Sequence, residues 1–227
     1  MSFFSSKASR HAYNYDIKNN HKSIKDSSTR VSPFFNISQK LESFASKHWA
    51  LAYMYFRMFY KKKLEREMSM AKLNPGDTVL HIGCGPCPYS AIFLAQQGIK
   101  VKALDFNLEA VLKARNLVKN RKLEDHIDIV YEDGKNTNSS QFDAIWISLN
   151  IHPKEKIIKQ NFSSIKDGGV IIYRNVPRWL SSYFITVPPD TWSPNNYIDT
   201  RVSWLGSQSV MVKKNGQPSR LSHAEKI

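Results

Sequence analysis

From Thr78 onward the sequence alternates short apolar runs with amphipathic segments, and this alternation limits the fold more than any other feature. Thr78–Ile82 reads as a buried strand, Tyr89–Gln97 as a helix, Lys100–Asp105 as a strand and Leu108–Asn120 as a helix closed by basic residues. Ile127–Tyr131 and Ala144–Ser148 read as two further strands. Pro153 opens a helix running to about Ile165, Asp167-Gly168-Gly169 turns the chain, and Val170–Tyr173 is the next strand. Repeated β-α-β order predicts an α/β fold with a mostly parallel sheet, helices on both faces, and ligands at the carboxyl ends of the strands. The C-terminal part differs, because Asp199–Trp204 and Ser207–Val212 flank Leu205-Gly206 and read as an antiparallel β-hairpin.

What precedes Thr78 is organised differently. Residues 1–31 are polar, rich in Ser, Asn and Lys, without sustained periodicity, and read as a loosely held basic tail. From Ser32-Pro33 apolar residues recur at three- and four-residue steps as far as Leu73, which predicts a helical lid over residues 32–73. Asn74-Pro75-Gly76-Asp77 breaks this pattern, and residues 74–214 form the expected catalytic domain, with 215–227 as a C-terminal tail. At 227 residues the chain suits one such domain with an appendage. The apolar content of 41% supports a core, while no run approaches the roughly eighteen apolar residues of a membrane span. Phe3 and Phe4 are not followed by the apolar stretch of a secretory signal, so the expected location is cytoplasmic.

The formal net charge is +14, and residues 1–73 hold fourteen Lys or Arg against five Asp or Glu. A basic excess of this kind attracts phosphate, nucleic acid or an anionic membrane, and equally describes a solvated face. Trp49–Lys63 combines aromatic residues with Lys61-Lys62-Lys63, which suits peripheral membrane contact through 49–63; aromatics on nearly all sides of this helix suit a lid packed on the sheet. Cys84 and Cys87 are the only cysteines. Without a second pair at zinc spacing no metal site is expected, and a redox pair is the alternative use of C-x-x-C.

The loop Gly83-Cys84-Gly85-Pro86-Cys87-Pro88 lies between the first strand and a helix. Glycines there let a ligand approach the backbone N–H groups of the helix start, as phosphate- and nucleotide-binding turns require. Asp105 ends the second strand twenty residues after Gly85, where a carboxylate accepts hydrogen bonds from ribose hydroxyls; helix capping is its other reading, and Asn107 caps as well. Glu132-Asp133-Gly134 follows the third strand, where acids before a glycine commonly hold an adenine amino group. Three such elements in order indicate a nucleoside-bearing cofactor. A dinucleotide fingerprint needs a third glycine, which Pro86-Cys87-Pro88 replaces, so NAD is disfavoured.

This order of strand, GxG, Asp and Glu-Asp-Gly, closed by Lys166-Asp167-Gly168-Gly169 before a strand, resembles the class I S-adenosylmethionine (SAM)-dependent methyltransferases over about residues 73–175. The resemblance implies a Rossmann-like SAM-dependent methyltransferase fold with SAM as cofactor. It places Gly83, Cys84, Gly85, Pro86, Asp105 and its neighbour Phe106 in contact with SAM, together with Glu132, Asp133, Gly134 and Asn150. One departure stands out: an acid usually lies two residues before the first glycine, and this chain has His81.

The segment His81–Ile92 more closely resembles the G-x-G-P-x-P-x-(S/T) loop of the nicotianamine synthase family, which includes opine-type metallophore synthases and also lacks that acid. Arg66–Leu73 is similar to the family's glutamate-bearing helix, Ile171–Asn175 to its Tyr-Arg strand, and Ser209–Val212 fits the final strand. The resemblance implies attack of an acceptor amine, from a small molecule or amino acid, on Cγ of SAM, transferring a 3-amino-3-carboxypropyl group. Glu67 is the implied base, with an exposed helix charge beside Arg66 as the other reading. Arg174 is implied to clamp a carboxylate, with a structural ion pair as the alternative. Tyr89 points from the loop either into the site or into the core. Two further readings fit the same residues, a methyltransferase acting on a small molecule or lipid headgroup and a non-catalytic nucleoside- or RNA-binding module. No RNA-binding motif occurs, so no specific nucleic acid is expected.

Overall fold

The computed structural model describes residues 60–176, 186–188, 197–201 and 208–214, all within one compact unit spanning Leu41–Ile227. The tails 1–31 and 215–227, and most of the expected lid and membrane-contact segment, lie outside the described residues. Of the segment expected to be a lid, the described part is helix α1, Lys61–Ala71. Its inner face, Lys63, Leu64 and Glu67, follows helical spacing but carries two charged residues. Lys72 then enters the left-handed region at φ 52°, and its N–H returns to the Met68 and Ser69 carbonyls, ending the helix before the turn at Pro75.

The remaining elements are β1 (Thr78–Ile82), α2 (Tyr89–Gln96), β2 (Lys100–Asp105), α3 (Leu108–Asn120), β3 (Ile127–Tyr131), β4 (Ala144–Ile147), α4 (Lys154–Ser164), β5 (Val170–Asn175), β6 (Tyr197–Arg201) and β7 (Gln208–Lys213). They form a seven-stranded sheet in the order β3-β2-β1-β4-β5-β7-β6. β1 to β5 pair in parallel, and β7 inserts antiparallel between β5 and β6. The expected hairpin therefore joins the sheet. Its strands are displaced from the expected limits, and Leu205-Gly206, the expected turn, lies outside the described residues.

Parallel strands covered on both faces must be apolar throughout, and β4 is buried at every residue. Alternate residues divide between two cores. Val79, Trp146 and Ile172 face α1, α2 and α3, whereas Leu80, Ile145, Ile171 and Tyr173 face α4. Because β2 and β4 flank β1, the connections leave β1 in opposite directions. The crevice between β1 and β4 is thus the topological switch point, where ligands bind in open α/β sheets. No helix among the described residues is long and apolar enough to cross a membrane.

The opposite edge is fastened by Asp143. Its Oδ2 accepts hydrogen bonds from Thr78 N at 2.8 Å and Thr78 Oγ1 at 2.7 Å, and Oδ1 pairs with Lys166. Partial burial pushes the Asp143 pKa up, but the Lys166 and Thr78 hydrogen bonds outweigh it and hold the pKa below its ordinary value. Replacing Asp143 with Ala is expected to cost roughly 1–2 kcal/mol at pH 7, because part of the loss is screened by solvent. A depressed carboxylate contributes above its unfolded pKa and loses the contribution as pH falls through its folded pKa, so the difference in urea denaturation should shrink under acid conditions.

Candidate active site

The loop after β1 is shaped by contacts that require glycine. Gly83 lies at φ 77° and Gly85 at φ 66°, in the region L side chains rarely adopt. A Cβ on Gly83 would also lie 2.0 Å from Ile151 Cδ1, so the turn after β4 packs directly on the loop. The Gly83 and Cys84 N–H groups both donate to the Leu104 carbonyl, at 2.8 and 2.9 Å, fixing the loop to the end of β2.

Asp105 completes this arrangement. Its Oδ2 accepts from Gly85 N at 2.8 Å and its Oδ1 from Asn107 N at 2.9 Å, joining the loop to the entrance of α3. Asn107 is the helix cap, its Oδ1 accepting from Glu109 N and Ala110 N, so Asp105 is not needed for that task. Burial raises the Asp105 pKa, while the backbone donors oppose the shift. Phe106 follows it with 44% of its surface exposed, a large apolar ring beside the acid. This suits a group that lies against an aromatic base.

The acids after β3 diverge. Glu132 pairs with Lys102 at 2.9 Å and accepts from Thr137 Oγ1 at 2.7 Å, whereas Asp133 accepts from the Lys135 backbone and ammonium, both at 3.0 Å. Gly134 packs on β1, since a Cβ there would lie 2.5 Å from Ile82 Cγ2. Asn150 lies in the turn after β4. Tyr89 begins α2, its ring against the helix-side core, and burial, then the neighbouring Cys87, raise its pKa. Cys84 is buried and Cys87 half-buried, and no group of three or more His, Cys, Asp or Glu among the described residues could hold a metal ion.

A second cluster lies under α1 at the carboxyl ends of β1, β4 and β5. Glu67 is fully buried, contrary to the reading as an exposed charge. Its Oε1 accepts from Arg174 Nε at 2.9 Å and Ser209 Oγ at 2.6 Å, and its Oε2 from Arg174 Nη2 at 2.6 Å and Trp146 Nε1 at 2.9 Å. Arg174 Nη1 donates to Ser90 Oγ at 3.2 Å, and the guanidinium lies 5.4 Å from the Tyr60 ring centroid. Burial would raise the Glu67 pKa, but the Arg174 charge and hydrogen bonds overcome it and bring the pKa down to about 2. Burial also opposes the Arg174 charge, which the Glu67 carboxylate more than restores. A carboxylate held by four donors does not take a proton from an amine near neutral pH, so this geometry departs from the expected base at Glu67. Arg174 likewise clamps a carboxylate of the chain itself, the structural ion pair left open by its sequence.

His81 lies next to this cluster, 2% exposed, with Nε2 and Ser148 Oγ 3.0 Å apart. Its Nδ1 has no partner among the described residues. Burial first, and then the Arg174 charge, lower its pKa to about 3, so the imidazole is neutral. Sequence reasoning missed Lys63, Trp146, Lys154 and Ser209. Lys63 was accessible from its spacing of four to Glu67 on one helical face, whereas the others are brought in only by strand pairing and chain crossing.

The sheet order is that of the Rossmann-like SAM-dependent methyltransferase fold, and with the domain match below it supports a SAM-dependent transferase that uses SAM as its cofactor. A family model described as a methyltransferase domain matches residues 79–169. The chain is similar in structure to nicotianamine synthase MtNAS, solved as a variant with S-adenosylmethionine, at 19% identity and a TM-score of 0.70, covering 82% of this chain and 77% of that one. It is also similar to a putative SAM-dependent methyltransferase from Methanococcus maripaludis, at 18% identity and a TM-score of 0.59, covering 79% of this chain and 94% of that one. An RNA methyltransferase from Salinibacter ruber, in complex with S-adenosylhomocysteine, matches at 16% identity and a TM-score of 0.54, covering 71% of this chain and 96% of that one. No curated protein matches the chain.

Two outcomes follow from this geometry. Asp105→Ala should weaken SAM binding by roughly 1–3 kcal/mol in calorimetric titration, through lost hydrogen bonds, while Asn107 keeps α3 capped. Glu67→Gln leaves Arg174 buried without its counter-charge and should cost about 3–5 kcal/mol at pH 7 by urea denaturation. The folded Glu67 pKa of about 2 lies below its ordinary 4.5, so the pair contributes fully above the ordinary value and fades as pH falls toward 2. The gap between the two proteins should close over that window.

Proposed function

We propose that this protein transfers the 3-amino-3-carboxypropyl group of SAM to an amine acceptor, in the manner of nicotianamine synthase. The observation that carries the reading is the delivery of Glu67 by α1 to Arg174 on β5, beside a G-x-G-P-x-P loop preceded by neutral His81. Similarity to MtNAS extends over 82% of the chain, beyond the 79–169 stretch of the methyltransferase model. MtNAS has also been solved with MTA and tNA.

In the proposed reaction the lone pair of a neutral acceptor amine forms a C–N bond at Cγ of SAM. The Cγ–S bond breaks, its electron pair neutralises the sulfonium, methylthioadenosine leaves, and the amine gives up a proton to solvent. Methyl transfer is displacement at a different carbon of the same sulfonium and yields S-adenosylhomocysteine. Which carbon reacts depends on which one the site places in line with the nucleophile. In this reading Glu67 positions Arg174 and keeps it charged, and Arg174 and Tyr89 border the bound amino-acid arm. Asp105 and Phe106 hold the nucleoside, with Asp133 toward the adenine. The acceptor is a small molecule or amino acid, and the setting is the cytoplasm.

The test is incubation with SAM and a panel of amino acids and amines, followed by mass spectrometry. Methylthioadenosine together with an acceptor heavier by one aminocarboxypropyl group is expected. S-adenosylhomocysteine with a methylated acceptor would overturn the proposal in favour of methyl transfer.

A further inference from the structure

Lys154 is the first residue of α4 and is 1% exposed. Among the described residues its Nζ has one partner, the Arg174 carbonyl oxygen at 2.7 Å, which carries no formal charge. A buried ammonium without a counter-ion is costly, and the cost is relieved by deprotonation or by an anion. Burial, and then the Lys63 charge from α1, bring the Lys154 pKa down to about 7. Lys154 and Arg174 are both buried here, and the one buried carboxylate among the described residues, Glu67, is held by Arg174. The cluster therefore has room electrostatically for a further anion.

Its location identifies which anion. The turn leading into Lys154 forms a wall of the cofactor loop, because Ile151 packs against Gly83 and Ser148 bonds to His81 at the end of β1. In the proposed reading Asp105 takes the nucleoside end of SAM on the β2 side, and the amino-acid arm then falls on the β4 side of the switch point. There the chain offers a neutral imidazole at His81 and an ammonium at Lys154.

We infer that Lys154 is a binding residue for the α-carboxylate of SAM, donating a charge-assisted hydrogen bond to it while retaining its bond to the Arg174 carbonyl. This goes beyond the proposed reaction and holds whichever carbon of SAM is attacked. Lys154 is a binding and positioning residue, and it exchanges no proton with the reacting atoms.

The full chain carrying Lys154→Met would be titrated calorimetrically with SAM, decarboxylated SAM and methylthioadenosine, alongside thermal unfolding. Decarboxylated SAM keeps the sulfonium and the amine, and methylthioadenosine lacks the whole arm. The preference for SAM over decarboxylated SAM should fall roughly tenfold, as expected for a lost hydrogen bond between charged groups. Methylthioadenosine affinity should stay within twofold of the parent protein, and the melting temperature should hold or rise because a buried charge has gone. Lys154→Gln keeps a donor for the Arg174 carbonyl, and gives the same reading if the Met variant fails to fold. A preference that changes less than threefold, or equal weakening of all three ligands, would overturn the inference.

Discussion

The ion pair between Glu67 and Arg174 is the interaction around which the carboxyl end of the sheet is arranged. A single carboxylate there accepts bonds from residues of β4, β5 and β7, and it is delivered by a helix that precedes the first strand. Taking both charges out of water costs several kcal/mol per ion before their attraction returns any of it. Such a pair persists only with close geometry and satisfied lone pairs, which four donors at 2.6–2.9 Å provide. Its value is therefore positional: α1 cannot slide along the sheet without stranding a charge. This fixes α1 against Trp146 and Ser209 beside the cofactor loop.

The fold was legible because strand and helix spacing differ and because both ends of each element are punctuated. Thr78–Ile82, Lys100–Asp105, Leu108–Asn120 and Ile127–Tyr131 have the limits their patterns indicate. The C-terminal strands were less legible. Strand identity was readable from the apolar run around Val210, but insertion of β7 between β5 and β6 depends on partners distant in sequence. The loop and Asp105 were legible for a related reason, since backbone geometry and position at a strand end follow from spacing alone.

The roles around Glu67 were harder to read. A glutamate directly before a methionine-rich helix end looks like a surface charge until the sheet brings Arg174 beneath it. The same residue type serves as base or as counter-ion depending on one neighbour, and that neighbour lies 107 positions away. Glu132 makes the point in reverse. Its place after β3 suggests a ligand contact, and the structure adds an ion pair with Lys102 on the adjacent strand. Side-chain partners across a sheet are decided by register, which no single segment encodes.

The placement of Ser209 has a consequence for how the molecule is assembled. Its hydroxyl reaches Glu67 across 142 positions, and in strand register it stands opposite Arg174. Until β7 docks, the Glu67 carboxylate lacks one of its four donors and the edge of β5 is unpaired. The hydrogen bonds of the cofactor loop, by contrast, reach only to Leu104 and Asp105, about twenty residues on, while its packing contact is with Ile151 after β4. During synthesis the loop's hydrogen bonds to β2 can thus form while the charged cluster still awaits the last strand. An emerging chain can fasten the loop to the end of β2 before it gains the donor that completes the Glu67 carboxylate.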